Sequence, residues 1–438
     1  MKRKINVQKV FNAVSIVFLS ICFLVYGIRF LTLYIKSARK MTIEANTVGN
    51  KLKKENKNIL KNIEGDYYFV GDVKTNYVSY SGILWRAIKI EENNTVTLVS
   101  DNAITVLAPF DTNDYNNSYI TTWLNKGDSE NSGVFENKLT NYSNYLKNGV
   151  VCADKIDAVT NAKCQNKIEK YVFNTLTATD YVNTGASEGF INNNENFYLS
   201  DLSSDNSIWY VNEEGKVGKN KGNDIYGVKV VIKLRETVNL VGGKGTKEDP
   251  YTFDSNKNYF GSYVKLGNDI WRVIDVKDNK LKLSYNKYIS NGDNDITYKF
   301  SPRSAYFDDT VYGSAAYYMN NDFLNSLSYK DKILENDYSW GYYGSSNNYN
   351  YSESMNSILK TKVSFISVGD IILNHDLTDY FIMNSSSIRN TFIYTYQNDN
   401  SLLSKSINST AKLVPVITIS SDNLTGEGTE KNPYSLGE

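Results

Sequence analysis

Residues 11–28, FNAVSIVFLSICFLVYGI, carry no charged side chain, and about 20 apolar residues in a row are what crossing a bilayer core requires. Arg29 interrupts the run before FLTLYI and Lys36 close it, and an arginine there can snorkel to the headgroups. The pattern predicts a transmembrane signal-anchor helix over residues 10–35 behind a short tail, residues 1–9. A cleaved signal peptide would show a shorter apolar run followed by a small-x-small site, and this chain shows neither. Residues 36–63 are polar and basic, with Val48, Leu52, Ile59 and Ile63 spaced four, seven and four apart. Half a heptad pattern of this kind predicts a basic helical stalk.

From Tyr67 the texture changes to short apolar and aromatic runs separated by Asn, Gly, Asp and Ser, which predicts short strands and turns. Two of these runs read alike: SGILWRAIKI, residues 81–90, and GNDIWRVIDV, residues 267–276. Each is followed by a turn signal, EENN or KDNK, and a second strand, so both predict the same hairpin. Other landmarks keep nearly the same offset. Trp85 and Trp271 lie 186 positions apart, VKVVIKL and LVPVITI 185, and GKGTKEDPYTF and GEGTEKNPYSL 183. More weakly, TTWLN (121–125) matches AYYMN (316–320), and TATDYV (177–182) matches SVGDII (367–372). A constant offset in constant order predicts one module written twice: module 1 at 64–254 and module 2 at 256–438. Each would open with a hairpin, pass through a central helical stretch and close on an apolar strand. That order gives an α+β class of mostly antiparallel modules rather than a doubly wound fold.

Charge sharpens the membrane reading. The formal net charge of zero hides a split: residues 1–61 hold 13 Lys/Arg against Glu44 and Glu55, and the remainder holds 35 basic against 46 acidic residues. The acidic part is a poor partner for nucleic acid, whose affinity comes mainly from neutralised phosphates. Lys2, Arg3, Lys4 and Lys9 favour a cytoplasmic N-terminus although cations also crowd the other flank, and the short basic tail decides for N-in and C-out. The location expected is the cell membrane, single-pass, with both modules outside.

The residues that carry chemistry are few. In a strand, Trp and Arg neighbours point to opposite faces, so Trp85 and Trp271 are expected in the core with Arg86 and Arg272 covering a sheet face or meeting a carboxylate. The alternative use of these four residues is a ligand platform, since aromatic faces and guanidinium groups build sugar and carboxylate sites. The Gly-rich GKGTKEDPY and GEGTEKNPY resemble phosphate loops only on the surface. Neither continues into G-K-[ST] and a helix, and Pro250 and Pro433 fit turn chemistry, with Tyr251 and Tyr434 packing back on the module. Outside the anchor the cysteines are Cys152 and Cys164, too few thiolates for zinc and not spaced C-x-x-C. In an exported domain they favour a local disulfide. His375 is the sole histidine, so a multi-histidine metal site is excluded and no cofactor or metal is expected.

The single basic-flanked anchor, YVSYSGILWRAIKI with VKLGNDIWRVIDV, LVPVITI and the closing G-x-G-T-x-x-[DN]-P-Y together resemble a family of surface modules in low-GC Gram-positive bacteria. The likeness covers most of the chain after Tyr67. In plan these modules are similar to C-type-lectin-like and formylglycine-generating-enzyme folds. The calcium tripeptide of the lectins and the cysteine pair of the sulfatase-modifying enzymes are missing, so neither activity carries over. The function expected is non-catalytic binding or adhesion toward a glycan, a wall component or a surface protein. The alternatives are a carboxylate-dependent enzyme acting on wall polymers and a structural spacer. One concave polar site per copy would favour binding, a site in one copy an enzyme, and none a spacer.

Overall fold

The computed structural model describes residues 7–105, 114–127, 132–139, 141–152, 154–159, 165–221, 226–254, 259–342, 357–387 and 389–436. The chain is mixed α/β with mostly antiparallel sheets. It begins with one helix, Val7–Ala45, whose segment Val14–Lys36 is long and apolar enough to cross a membrane and has no buried residue.

The helix does not run through the whole expected stalk. After Ala45 the chain turns at Asn46, and a short helix, Val48–Glu55, docks on the first module with Val48 and Leu52 fully buried. Thr47 caps it by accepting from the Asn50 N–H, and the Val48 N–H donates to the Val238 carbonyl at 2.9 Å. Leu60–Ile63 is already a strand, paired with Asp66–Phe69. The half-heptad spacing therefore marks the buried face of a docked helix and then a sheet edge, where a continuous basic helical stalk over residues 36–63 had been expected.

The same strand order recurs in both halves. In the first, Tyr77–Tyr80, Ile83–Ile90, Val96–Ser100, Val230–Leu234 and Asn174–Thr175 pair in sequence, with Tyr251–Thr252 parallel to the first of them. In the second, Tyr263–Leu266, Asp269–Lys277, Lys280–Tyr285, Val416–Ser420 and Val363–Ser364 pair in that order, with Tyr434–Leu436 parallel to the first. Registers match as well: Val78 faces Trp85 and Val264 faces Trp271. Both Trp strands carry a bulge, at Ile88 and at Ile274. The second hairpin turns through Asp278 and Asn279 at φ 49° and 58°, the pair of positive values that a two-residue type I′ turn needs.

A second sheet follows in each half, Phe197–Ser203 with Ile208–Val211 and Val217–Asn220, and Tyr380–Ser385 with Phe392–Tyr396 and Leu402–Ser406. The helices between are short. Asn125 and Asn320 do the same work in each: the side-chain amide donates to the Phe173 or Val363 carbonyl and its oxygen accepts the N–H of that same residue. This clamps the helix to the strand entering the sheet.

The closing loops also match. The Gly245 and Gly428 carbonyls accept the Tyr77 and Tyr263 N–H groups. Both glycines have positive φ, and a Cβ on either would lie within 2.4 Å of the Tyr251 or Tyr434 ring. Tyr251 and Tyr434 are buried. The halves meet where the Ser81–Gly82 turn touches Gly261, so closely that a Cβ on Gly82 would fall 2.3 Å from the Gly261 Cα.

Candidate functional site: a charged pocket in each half

Trp85 and Trp271 are 0% exposed. Their indole N–H groups donate to the Tyr80 carbonyl at 3.1 Å and to Tyr329 Oη at 3.2 Å. Neither ring has a face open to a ligand. Their neighbours repeat one arrangement: Arg86 lies over the Tyr77 ring at 3.9 Å and Arg272 over the Tyr263 ring at 4.1 Å. Each guanidinium then donates to a carbonyl, Arg86 to Val73 at 2.6 Å and Arg272 to Gly82 at 2.8 Å. Arg86 is buried and also meets Asp101 at 3.3 Å. Arg272 is half-buried and grips the hairpin tip of the other half. Cys152 is disulfide-bonded and Cys22 is free; Cys164 lies outside the described residues.

The bulges lead to a different place. A bulge re-aims the residues that follow it, and the first residue past each is charged, Lys89 in one half and Asp275 in the other. Both sit at one end of a row running across three strands: Lys89, Thr97 and Lys233 in register, and Asp275, Lys282 and Thr418 in register. Facing each row is an aspartate three positions after a hydroxyl residue, Thr177 with Asp180 and Ser367 with Asp370. Thr177 caps a helix by accepting the Asp180 N–H at 3.0 Å, and the Ser367 N–H donates to Asp370 Oδ2 at 2.8 Å.

Lys89, Lys233 and Asp180 line an open pocket of about 390 Å³ in the first half, where Thr97 is buried, and Asp275, Lys282, Thr418 and Asp370 line one of about 460 Å³ in the second. Their charged and polar linings have the same composition, although matching strand positions carry different residues, Lys89 against Asp275 and Lys233 against Thr418. The first has carboxylates Glu64, Asp66, Glu91 and Asp180 with Lys89, Lys167 and Lys233. The second has Asp275, Asp278, Asp337 and Asp370 with Lys277, Lys280 and Lys282. Each also has a tyrosine, an asparagine and two hydroxyl residues, Tyr68, Asn183, Thr177 and Thr179 in one and Tyr338, Asn336, Ser367 and Thr418 in the other, and the first adds Ile63, Val150 and Cys152.

One lysine–aspartate pair anchors each pocket. Lys89 Nζ meets Asp180 Oδ1 at 2.8 Å, and Lys282 Nζ meets Asp370 Oδ2 at 2.6 Å. Burial works against the charge on Asp180, yet Lys89 and the hydrogen bonds from Lys89, Tyr68 and Thr177 outweigh it and hold the carboxyl below its ordinary range. Burial likewise disfavours the Lys282 ammonium, and Asp370 overcomes it and raises the pKa. Asp66, on the rim of the first pocket, is raised by burial, with Lys89 opposing. These are charged, hydrogen-bonding surfaces that offer both carboxylates and ammonium groups to a polar ligand. No group of His, Cys, Asp and Glu with metal-binding geometry occurs among the described residues.

Between the halves lies a buried charge cluster. Lys229, fully buried, pairs with Glu195 at 2.8 Å and donates to the Asp101 carbonyl at 2.7 Å. Burial pushes the Glu195 carboxyl up despite Lys229. The half-buried His375 stands nearby; its Nδ1 is buried without a hydrogen-bond partner, and burial with the Lys229 and Arg272 charges pushes its pKa down to about 4.

Comparison with known proteins finds no family model, no curated protein and no solved structure that matches the chain.

Sequence reasoning singled out the Trp-Arg pair and missed the pockets, whose nearest residues Lys89 and Asp275 lie three positions past each arginine. A signal was present: Lys89 in WRAIKI, Asp275 in WRVIDV and Lys233 in VVIKL are charges inside apolar strands, and a charge there needs a partner or a wet face.

Proposed function

We propose that the protein is a membrane-anchored binding protein of the cell surface, its N-terminus cytoplasmic and its two modules outside. Each module holds one non-catalytic pocket for a repeating, polar ligand that bears both charges, such as a glycan or another wall component. One observation carries the reading. A charged pocket occurs once per half against the same three strands, with four carboxylates, three lysines, one tyrosine, one asparagine and two hydroxyl residues in each lining, distributed differently over the matching positions. Two weak sites on one chain gain avidity against a repeating polymer, by about 10² to 10⁴ where the spacing fits. Catalysis draws no comparable benefit from duplication. The resemblance in plan to C-type-lectin-like folds agrees with this use and belongs to the same proposal.

The test is co-sedimentation of the full-length chain, held in lipid nanodiscs, with insoluble cell-wall polymer from a Gram-positive bacterium. Lys167 and Lys280 are exposed pocket residues, so reversing their charge leaves the core alone. The wild-type chain should be retained, and Lys167→Glu with Lys280→Glu should release it. Retention unaffected by the double change would remove the pockets from the binding function. Soluble fragments released by the wild-type chain, and lost on changing one pocket carboxylate, would establish the enzyme in its place.

A further inference from the structure

The two pockets differ in what holds their acidic residues. In the first, Asp180 is bound by Lys89 and by Tyr68 Oη, each at 2.8 Å, and both come from the same half. In the second, Asp275 is ion-paired to Lys138, which belongs to the first half. The loop that presents Asp370 is held from the first half too. Thr105 Oγ1 donates to the Asp370 carbonyl at 2.8 Å, and Trp123 Nε1 donates to the Gly369 carbonyl at 3.2 Å. The Ile372 N–H donates to the Ile104 carbonyl at 2.9 Å. Trp123 and Thr105 are buried, so these bonds are shielded from competing water and fix the loop.

We infer that the second pocket is a composite site, completed by the first module, with Lys138 a positioning residue that sets Asp275 for the ligand. The inference rests on the reading of the pockets as ligand sites. Asp275 stands beside Lys282 in the row, and Lys282 is itself committed to Asp370 at 2.6 Å. Lys138 supplies the cation that balances Asp275. Burial works against the Asp275 carboxylate, and Lys138 outweighs burial and keeps it ionised below the usual carboxylate range. Without Lys138, burial of the Asp275 carboxylate is opposed only by Lys282 and the Val276 N–H at 2.7 Å, and the side chain loses the ion pair that fixes it in the row. The first pocket has no such dependence: its row is complete within its own half. The two sites are therefore unequal partners, one self-sufficient and one that exists only while the halves stay docked.

The experiment uses the full-length chain in nanodiscs carrying Lys167→Glu, which silences the first pocket, and a soluble fragment of cell-wall polymer as the probe. Affinity is followed by calorimetry and folding by thermal melting. Lys138→Met should lower affinity about tenfold, within the range that coupled residues in contact show, and Lys138→Arg should restore it. A purely structural role would not give that rescue without a matching change in melting temperature. Trp123→Phe keeps an aromatic ring but removes the indole N–H donor to Gly369 together with part of the buried ring volume, and should lower affinity severalfold in a chain that thermal melting shows is still folded. If Lys280→Glu weakens binding while Lys138→Met and Trp123→Phe do not, the pocket stands and its composite nature is refuted. If Lys280→Glu has no effect either, the pocket reading has failed and this inference falls with it.

Discussion

Replacing Trp271 by alanine separates a core tryptophan from a ligand platform. The side chain is 0% exposed and its ring packs 4.6 Å from Tyr285, so the change empties an indole-sized volume at the centre of the second half. Trp→Ala changes of this kind cost about 3–5 kcal/mol in lost transfer energy and residual cavity. The lost hydrogen bond adds little, because Tyr329 Oη keeps its bond to Asp269 Oδ2 at 2.8 Å and is not left unpaired. For a unit of 150–250 residues each kcal/mol is worth about 2–4 °C, so the melting temperature should fall by roughly 6–20 °C. Calorimetry of the full chain in nanodiscs is the assay. Tyr312→Ala, at an 83% exposed position of the same half, is the control and should stay within about 0.5 kcal/mol. A Trp271→Ala chain that melts like the wild type but no longer binds wall polymer would refute the reasoning and return the tryptophan to the ligand.

Other outcomes follow from the same geometry. His375 is pushed down to about 4 from an ordinary 6.5, so the unfolded chain takes up a proton first and stability should drain away as pH falls from about 6.5 to about 4; His375→Asn should flatten that slope in pH-resolved denaturant titrations, and an unchanged slope would place its cause elsewhere. Lys89→Met leaves Asp180 charged, 8% exposed and unpaired by its lysine, and should cost about 3–5 kcal/mol. Adding Asp180→Asn should recover part of that loss, and strictly additive costs would show that the pair is not coupled. Protease added outside intact cells should degrade the chain beyond residue 46, whereas protection of both modules would reverse the orientation.

Much of the architecture was legible because it rests on local chemistry. The hairpin after each Trp-Arg pair needs only a turn signal between two apolar runs, and Asp278 and Asn279 supply the positive φ values. The closing glycines and Tyr251 or Tyr434 lie six residues apart and lock together within one loop. What the sequence hid depends on distant partners. Lys89 finds Asp180, 91 positions away, and spacing carries no trace of that. The bulges at Ile88 and Ile274 shift the period by one residue, so alternation assigns Lys89 and Asp275 to the wrong face. The early end of the stalk was hidden because Val48 and Leu52 fit a free-standing stalk helix and a docked one equally well; what separates them is the Val238 carbonyl that accepts the Val48 N–H. Lys138 gave no signal at all, since its partner Asp275 lies 137 positions on.

The central claim is that one chain offers two matched pockets to one repeating ligand, and stoichiometry tests it most directly. The full-length chain in nanodiscs would be titrated calorimetrically with a soluble wall-polymer fragment too short to bridge both pockets. Two fragments should bind per wild-type chain, one after Lys167→Glu, one after Lys280→Glu and none after both. A single fragment bound per chain, with a stoichiometry that neither change alters, would contradict that claim.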